Sequence, residues 1–388
     1  MEYYRYGRSL VPAGGVFDDA ESALEFCNDV EQEVLLEQIQ NLSFTLDDEG
    51  LLLVLLNNKR HFISHSALKD LCKLLKVPAS YINKFPGRHL VLENLNNNPY
   101  LIDNSDPIKL VLWKGEEFPV ITGVLPGNDP AMPFNEYLSL LIDEDVFERE
   151  ETSLEQIAVT GEEMVLYFQL PQEITREGFH FKGGYAIHYS ATRAVDAEIH
   201  PFLNMTIVAP TGEPFDFDYE SPRKQHIVKR RKEDFLNKFL ELSQFYKGED
   251  LGSSYEEAIK FGTVARSMDS VKYSLLKFFK SKAMSIYNYS GVKVEGNAVA
   301  EEIIPEYNEF FFENKENLKE METYAANNLQ VHFYLPVYFN RIFTFQPSIE
   351  NPYFLIRYRK AIGVALTRVL DEIGDLMVES EPQGEEQE

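Results

Sequence analysis

The spacing of apolar residues in the first part of the chain predicts short helices and strands in alternation. The aliphatic run 51–56 has the length and composition of a buried strand. Apolar residues then repeat at helical spacing over 64–75, where Ser64 or Ser66 provides the cap. Pro78 ends this helix, and a second short helix is predicted over 79–84. The beginning of the chain therefore predicts a mixed fold.

Further along, strand-like runs dominate, and Gly, Pro and Asp residues separate them. One helix is predicted among them, over 134–142. The strands are predicted at 108–113, 120–125, 164–170, 185–189 and 202–208. Short strands between turn residues are typical of a half-buried sheet that is mostly antiparallel. We therefore predict an α+β fold with flanking helices.

The pattern changes near residue 222 and divides the chain into five segments. Two long helices are predicted from 221 to about 284, broken at 247–250, and a final helix over 353–377. The segments are an N-terminal extension (1–45), an α+β sheet domain (46–221), a basic helical hairpin (222–290), an aromatic-rich C-terminal region with the final helix (291–378) and an acidic tail (379–388).

Composition narrows the class of protein. The 388 residues include 44% hydrophobic and 13% aromatic residues, which excludes a disordered chain. Two cysteines exclude a disulfide scaffold and favour a reducing compartment. The longest aliphatic run is far below the ~20 residues of a membrane span, and the N-terminus lacks a secretory signal pattern. We therefore expect a cytoplasmic protein without membrane contact.

Charge is distributed unevenly along the chain. The formal net charge is −26, which argues against a generic binder of nucleic acid or anionic membranes. Residues 222–282, however, contain 14 Lys and Arg against 8 Asp and Glu, a local charge of +6 that leaves −32 for the remainder. Positive charge is therefore concentrated in the predicted hairpin.

This concentration identifies a candidate nucleic-acid-binding surface. Phosphates accept any basic sequence, and the neighbouring Tyr246, Tyr255 and Tyr273 provide rings that can stack on bases. The candidate residues are Arg223, Lys224, Lys229, Arg230, Arg231, Lys232, Arg266, Lys277 and Lys280. Two alternatives stay open: an ordinary solvated helix face, and a surface that pairs with the acidic remainder of the same or another subunit.

Candidate catalytic and metal-binding motifs are weak. His180, His188 and His200 lie near Asp196 and Glu198, which suits a metal-dependent hydrolase in composition, but their spacing matches no usual zinc pattern. Glycines 183 and 184 are expected to break the strand between the first two histidines. A structural role for the histidines is therefore favoured, and we predict no catalytic residues, no metal and no cofactor.

Aromatic residues offer a further candidate for ligand binding. Trp113 and the aromatic runs at 310–312 and 333–345 have the composition of a ligand groove. Aromatic residues at this density more often fill a core, because each ring buries a large apolar area. We therefore expect these residues in the core.

Three segments together resemble a known family. Residues 66–82 (SALKDLCKLLKVPASYI) resemble the opening segment of the phage/plasmid-like family of unknown function, domain of unknown function 932. Residues 181–190 (FKGGYAIHYS) resemble its glycine–strand–serine segment, and Arg223 and His226 stand where the family carries an Arg/His pair before its long helices. The resemblance implies a phage or mobile-element origin, a bacterial host cytoplasm and, by association, work on DNA.

The expected function follows from the charge pattern and this resemblance. We expect a non-enzymatic protein that contacts single-stranded DNA or RNA through 223–282, in recombination or replication, and the sequence leaves the question of catalysis open. The alternative is a structural protein that self-assembles into a homo-oligomer or binds a host protein, without nucleic-acid contact.

Overall fold

The structure, a computed structural model, describes the greater part of the first 228 residues. The described residues are 14–47, 50–84, 87–114, 118–148, 152–176, 179–192, 197–208, 214–220 and 226–228, with 352, 355 and 356. They form an α+β fold with one antiparallel and one mixed sheet, which confirms the predicted class. The hairpin (222–290), the C-terminal region (291–378) and the tail (379–388) lie outside them, apart from 226–228 and the three late residues.

A mixed six-stranded sheet has the strand order β2-β6-β7-β5-β4-β3. Its strands are β2 (Glu33–Gln38), β3 (Leu42–Leu46), β4 (Leu52–Leu56), β5 (Lys59–Ile63), β6 (Pro107–Trp113) and β7 (Val120–Pro126). All neighbours pair antiparallel except β5 and β7, which run parallel. Parallel strands need a long crossover, and here it contains four helices and β6.

The helices of this crossover bury the apolar side of the sheet. They are α2 (His65–Leu74), α3 (Ala79–Lys84), α4 (Arg88–Asn96) and α5 (Pro99–Ile102). Ser64 caps α2, because its Oγ accepts the amide hydrogen of Ala67 at 3.2 Å. Leu68, Leu71 and Cys72 of α2 join strand residues in one buried cluster. The apolar residues that repeat at helical spacing in the sequence are therefore the ones that α2 buries in the core.

The outer strand β3 of this sheet is held by a side chain from α4. The Asn96 Oδ1 accepts the amide hydrogen of Phe44 at 2.7 Å, and its Nδ2 donates to the Phe44 carbonyl oxygen at 2.9 Å. An amide side chain thus satisfies both backbone groups of one residue, as a neighbouring strand would.

The second sheet has seven strands in the order β1-β8-β9-β10-β11-β12, and β13 is also paired to β11. Its strands are β1 (Gly15–Phe17), β8 (Ser153–Val159), β9 (Met164–Arg176), β10 (Phe179–Tyr189), β11 (Ala197–Val208), β12 (Pro214–Glu220) and β13 (His226–Val228). Strand β11 pairs with β13 over Ala197–Ile199 and with β12 over Phe202–Val208.

Two further helices, α1 (Ala20–Asp29) and α6 (Phe134–Asp143), pack against each other. Phe134 of α6 stands edge-on to Trp113, with ring centroids 6.3 Å apart, and Trp113 is 1% exposed. Trp113 is therefore a buried core residue, as expected.

The chain divides into two compact units by its backbone contacts. The first contains the six-stranded sheet and its helices, together with α1, α6, β1 and β8. The second contains β12 and the part of β11 that pairs with it. The domain boundaries predicted from sequence stay predictions, and residues of the expected N-terminal extension contribute β1, α1 and β2.

Most predicted elements are present with bounds shifted by a few residues, and one expectation is wrong. Glycines 183 and 184 do not break the strand, because β10 continues from Phe179 to Tyr189. Strands β9 and β11 flank β10 on both sides and supply its hydrogen-bonding partners. Pairing on two sides thus outweighs the conformational freedom of glycine.

Candidate functional site

The nucleic-acid-binding residues predicted from sequence lie outside the described residues. These are Arg223, Lys224, Lys229, Arg230, Arg231, Lys232, Arg266, Lys277 and Lys280. Within the predicted hairpin, the structure describes only the backbone segment His226–Val228, which forms β13. The basic surface therefore stays a prediction from the charge pattern.

A cluster of metal-ligand residue types lies on the neighbouring strands β10 and β11. His188 lies near the end of β10, and Glu198 and His200 lie near the beginning of β11. The connection 190–196 is too short for a parallel crossover, so the two strands form an antiparallel hairpin. This arrangement places the end of one strand beside the start of the next.

The strand period explains why these three residues meet. Glu198 and His200 are two positions apart on β11 and therefore lie on the same face of the sheet. His188 adds a ligand from the adjoining strand. One ligand atom of each residue, an imidazole nitrogen or a carboxylate oxygen, lies within 4.8 Å of the others.

Burial distinguishes the cluster from ordinary surface residues. His188 and His200 are each 1% exposed, whereas Glu198 is half-buried. Ile199, between the two β11 residues, is fully buried on the opposite face. The two imidazoles are therefore held inside the protein, and the carboxylate lies nearer to the protein surface.

A network of hydroxyl groups follows His188 along the chain. The Ser190 Oγ donates to the Glu162 carbonyl oxygen at 2.6 Å and lies 3.0 Å from the Thr192 Oγ1. The Glu162 carboxylate in turn accepts a hydrogen bond of 2.8 Å from the Ser66 Oγ on α2. These contacts fix the backbone after β10 and thereby the position of His188.

The ligand set determines the chemistry that the cluster can support. Two imidazoles with one carboxylate bind Zn²⁺ and other divalent transition metals, whereas Ca²⁺ and Mg²⁺ prefer oxygen ligands throughout. The described residues supply three ligands, which is the number that catalytic zinc sites take from the protein. The arrangement is therefore chemically competent to bind such an ion.

The spacing of the histidines in the sequence favours a structural role for them. Of the three histidines weighed, the structure brings together His188 and His200, and it adds Glu198. The side chain of His180 lies outside the described residues. The signal available in the sequence was the Glu198–His200 spacing of two on a strand, which places two ligands on one face.

The cysteines are not part of this cluster. Cys27 of α1 and Cys72 of α2 are each 1% exposed, and burial raises the pKa of both thiols to about 12. Neither is a reactive nucleophile at neutral pH.

None of the described helices is long and apolar enough to cross a membrane. Searches of protein-family models, curated proteins and solved structures return no match to the chain.

Proposed function

We propose that this chain is a non-enzymatic protein of phage or plasmid type that binds single-stranded DNA or RNA through residues 223–282. The observation that carries the proposal is the local charge of +6 in this segment against −32 in the remainder. Basic residues neutralise phosphates without regard to sequence, and counterion release then drives binding. The resemblance of three segments to a phage/plasmid-like family favours a nucleic-acid ligand.

The residues have distinct roles in this proposal. The dense basic run contributes most of the phosphate contacts, and a second group on the following predicted helix extends the track. The first group is Arg223, Lys224, Lys229, Arg230, Arg231 and Lys232, and the second is Arg266, Lys277 and Lys280. Tyr246, Tyr255 and Tyr273 stack on bases between them.

Two stretches of the chain outside the basic segment carry no positive charge at all. No lysine or arginine occurs between Arg8 and Lys59, or between Lys114 and Arg149. Lys73, Lys114 and Lys182 form exposed ion pairs with nearby carboxylates at 2.6, 3.0 and 3.9 Å. Residues 59–88, by contrast, carry seven Lys and Arg against one Asp, and the control variant below therefore includes two lysines of this segment.

The test is a binding titration of the full chain with fluorescently labelled oligo(dT), followed by anisotropy at several salt concentrations. We expect binding that weakens steeply with salt, and a loss of affinity when Arg230, Arg231 and Lys232 are all changed to Glu. A matched control changes Lys69, Lys73 and Lys114 to Glu, with the same change in net charge. Absence of binding at low salt, or equal losses in both variants, would refute the proposal.

One observation favours the alternative, a protein that assembles through charge. Helices α1 and α6 pack together, and their exposed carboxylates form an acidic surface. These carboxylates are Glu21, Glu25, Asp29, Glu136 and Asp143. The basic segment of one subunit would then bind the acidic surface of the next, in a head-to-tail contact.

Light scattering separates the two functions. A salt-sensitive oligomer that contains no nucleic acid and ignores oligo(dT) supports assembly. A monomer that binds oligo(dT) supports the proposed function.

A further inference from the structure

We propose that His188, Glu198 and His200 form a binding site for a divalent transition-metal ion, with Zn²⁺ as its representative ligand. The site goes beyond nucleic-acid binding and uses different residues. Its basis is the convergence of two imidazoles and one carboxylate within 4.8 Å on one strand pair.

The separation of the ligand atoms suits a single ion. Zn²⁺ lies about 2.0–2.1 Å from imidazole nitrogens and about 2.0–2.2 Å from carboxylate oxygens. These bond lengths require ligand atoms somewhat closer together than 4.8 Å, and we expect side-chain rotation to bring the three atoms to bonding distance.

The backbone under the site is held by strand pairing. His188 and Glu198 belong to neighbouring strands, and Glu198 and Ile199 are also paired with β13. Ile199 and Tyr189, on the opposite face, are 0% and 2% exposed. Ligands on such a preorganised strand pair lose little conformational freedom when the ion binds.

The chemical type of the ligands predicts which metal ions the site prefers. Imidazole nitrogen favours Zn²⁺, Co²⁺ and Ni²⁺ over the hard cations, and the thiols of Cys27 and Cys72 are not part of the cluster. With three ligands from the described residues, the ion has a further coordination position for a water molecule or another group.

The experiment uses the full chain after treatment with a chelator. Isothermal titration with Zn²⁺ in an excess of Mg²⁺ is expected to give one ion per chain. Co²⁺ is expected to give a d–d absorption spectrum with nitrogen and oxygen ligation and without a thiolate charge-transfer band. Because binding to the folded state alone stabilises it, the melting temperature should rise with Zn²⁺ concentration.

Conservative variants test the assignment. Glu198→Gln and His200→Gln keep the side-chain size and should weaken Zn²⁺ binding by at least about 10-fold, since changes even in the supporting shell of metal sites have effects of 10–100-fold. His61→Gln is the control, because His61 is also buried, at 4% exposure, but lies on β5. Circular dichroism verifies that each variant is folded.

The outcomes decide between two explanations. Stoichiometric binding that is lost in both ligand variants and retained in His61→Gln supports the site. If the unaltered chain binds no Zn²⁺ in excess Mg²⁺, or if folded ligand variants bind as well as it does, the cluster is a metal-free polar network and the proposal fails. Should both variants fail to fold, stoichiometry and the Co²⁺ spectrum of the unaltered chain still decide.

Discussion

The rings of Tyr137 and Tyr189 stack face to face, with centroids 4.1 Å apart and 18° between their planes. Tyr137 lies on α6 and Tyr189 at the end of β10, so the pair joins a helix to the second sheet. The Tyr189 hydroxyl also donates to the Met132 carbonyl oxygen at 2.8 Å. Burial, together with the neighbouring Tyr189, raises the pKa of Tyr137 well above its ordinary value.

This pair should show a measurable coupling energy. Changing Tyr137 and Tyr189 to Leu, singly and together, should reveal an interaction of about 0.5–1.5 kcal/mol, as expected for packed aromatic rings. Urea unfolding of the four proteins measures it. A control cycle pairs Tyr137 with Phe44, a member of the core cluster that does not include Tyr137. A coupling no larger than that of the control would show that stacking adds nothing to burial.

The cap of α2 gives a second prediction. Ser64 is fully buried and accepts the amide hydrogen of Ala67, and its Oγ donates to the Thr122 carbonyl oxygen at 3.3 Å. Ser64→Ala should lower the free energy of unfolding by about 1–2 kcal/mol, because both contacts are lost. The urea midpoint should fall with an unchanged slope. Ser139→Ala, within α6, is the control, and an equal effect would contradict the capping role.

Gly123 on β7 has no room for a side chain. A Cβ atom there would lie 2.5 Å from the Thr192 Cα, a backbone atom that cannot move alone. Gly123→Ala should therefore destabilise the fold by about 1–3 kcal/mol or more. At Gly15 the nearest atoms belong to the Phe17 ring, which can turn away. Thermal melts should show a smaller loss for Gly15→Ala, and the reverse order would refute the argument.

The buried thiols should be unreactive in the native state. Because burial raises the pKa of Cys27 and Cys72 to about 12, the reactive thiolate is scarce at pH 8 and is shielded as well. Ellman's reagent should detect no fast thiol in the native protein and both in denaturant. Glu93→Cys, on the exposed side of α4, provides a reactive control. Rapid labelling of a native cysteine would contradict the burial.

His61 should make stability depend on pH. Burial lowers the pKa of His61 below 6.5, so below this value the unfolded chain takes up a proton that the folded chain does not. The contribution of His61 to stability is therefore complete above pH 6.5 and declines as the pH falls toward its folded pKa. Urea midpoints measured from pH 7.5 downward should fall less in His61→Gln. Exposed His89→Gln is the control, and parallel curves for His61→Gln and the unaltered chain would exclude the effect.

Local signals in the sequence were sufficient for some elements. For α2, a serine cap and an apolar repeat both arise within the segment itself. Strand β2 was not predicted, because polar and apolar residues do not alternate along its sequence, which has Glu33 at one end and Glu37 and Gln38 at the other. Its conformation comes from pairing with β6, about seventy residues further along the chain. Tertiary pairing of this kind leaves no local pattern.

The grouping of His188, Glu198 and His200 also depends on pairing between separate strands. Residue types near 180–200 suggested a metal, but spacing along the chain gave no known pattern. The alignment of β10 with β11 brings His188 to Glu198 and His200, and that alignment is a property of the sheet. The mistaken break at glycines 183 and 184 obscured it, since a continuous β10 is what carries His188 to the hairpin.

The contact of Asn96 with Phe44 has a consequence beyond the stability of a single chain. Among the described residues, β3 is an edge strand of the six-stranded sheet, and an exposed edge strand can pair with a strand of another molecule. The carboxamide of Asn96 bonds both backbone groups of Phe44, so these groups in the middle of β3 cannot bond a strand of another molecule. We therefore expect this side chain to hinder aggregation through β3 at high protein concentration.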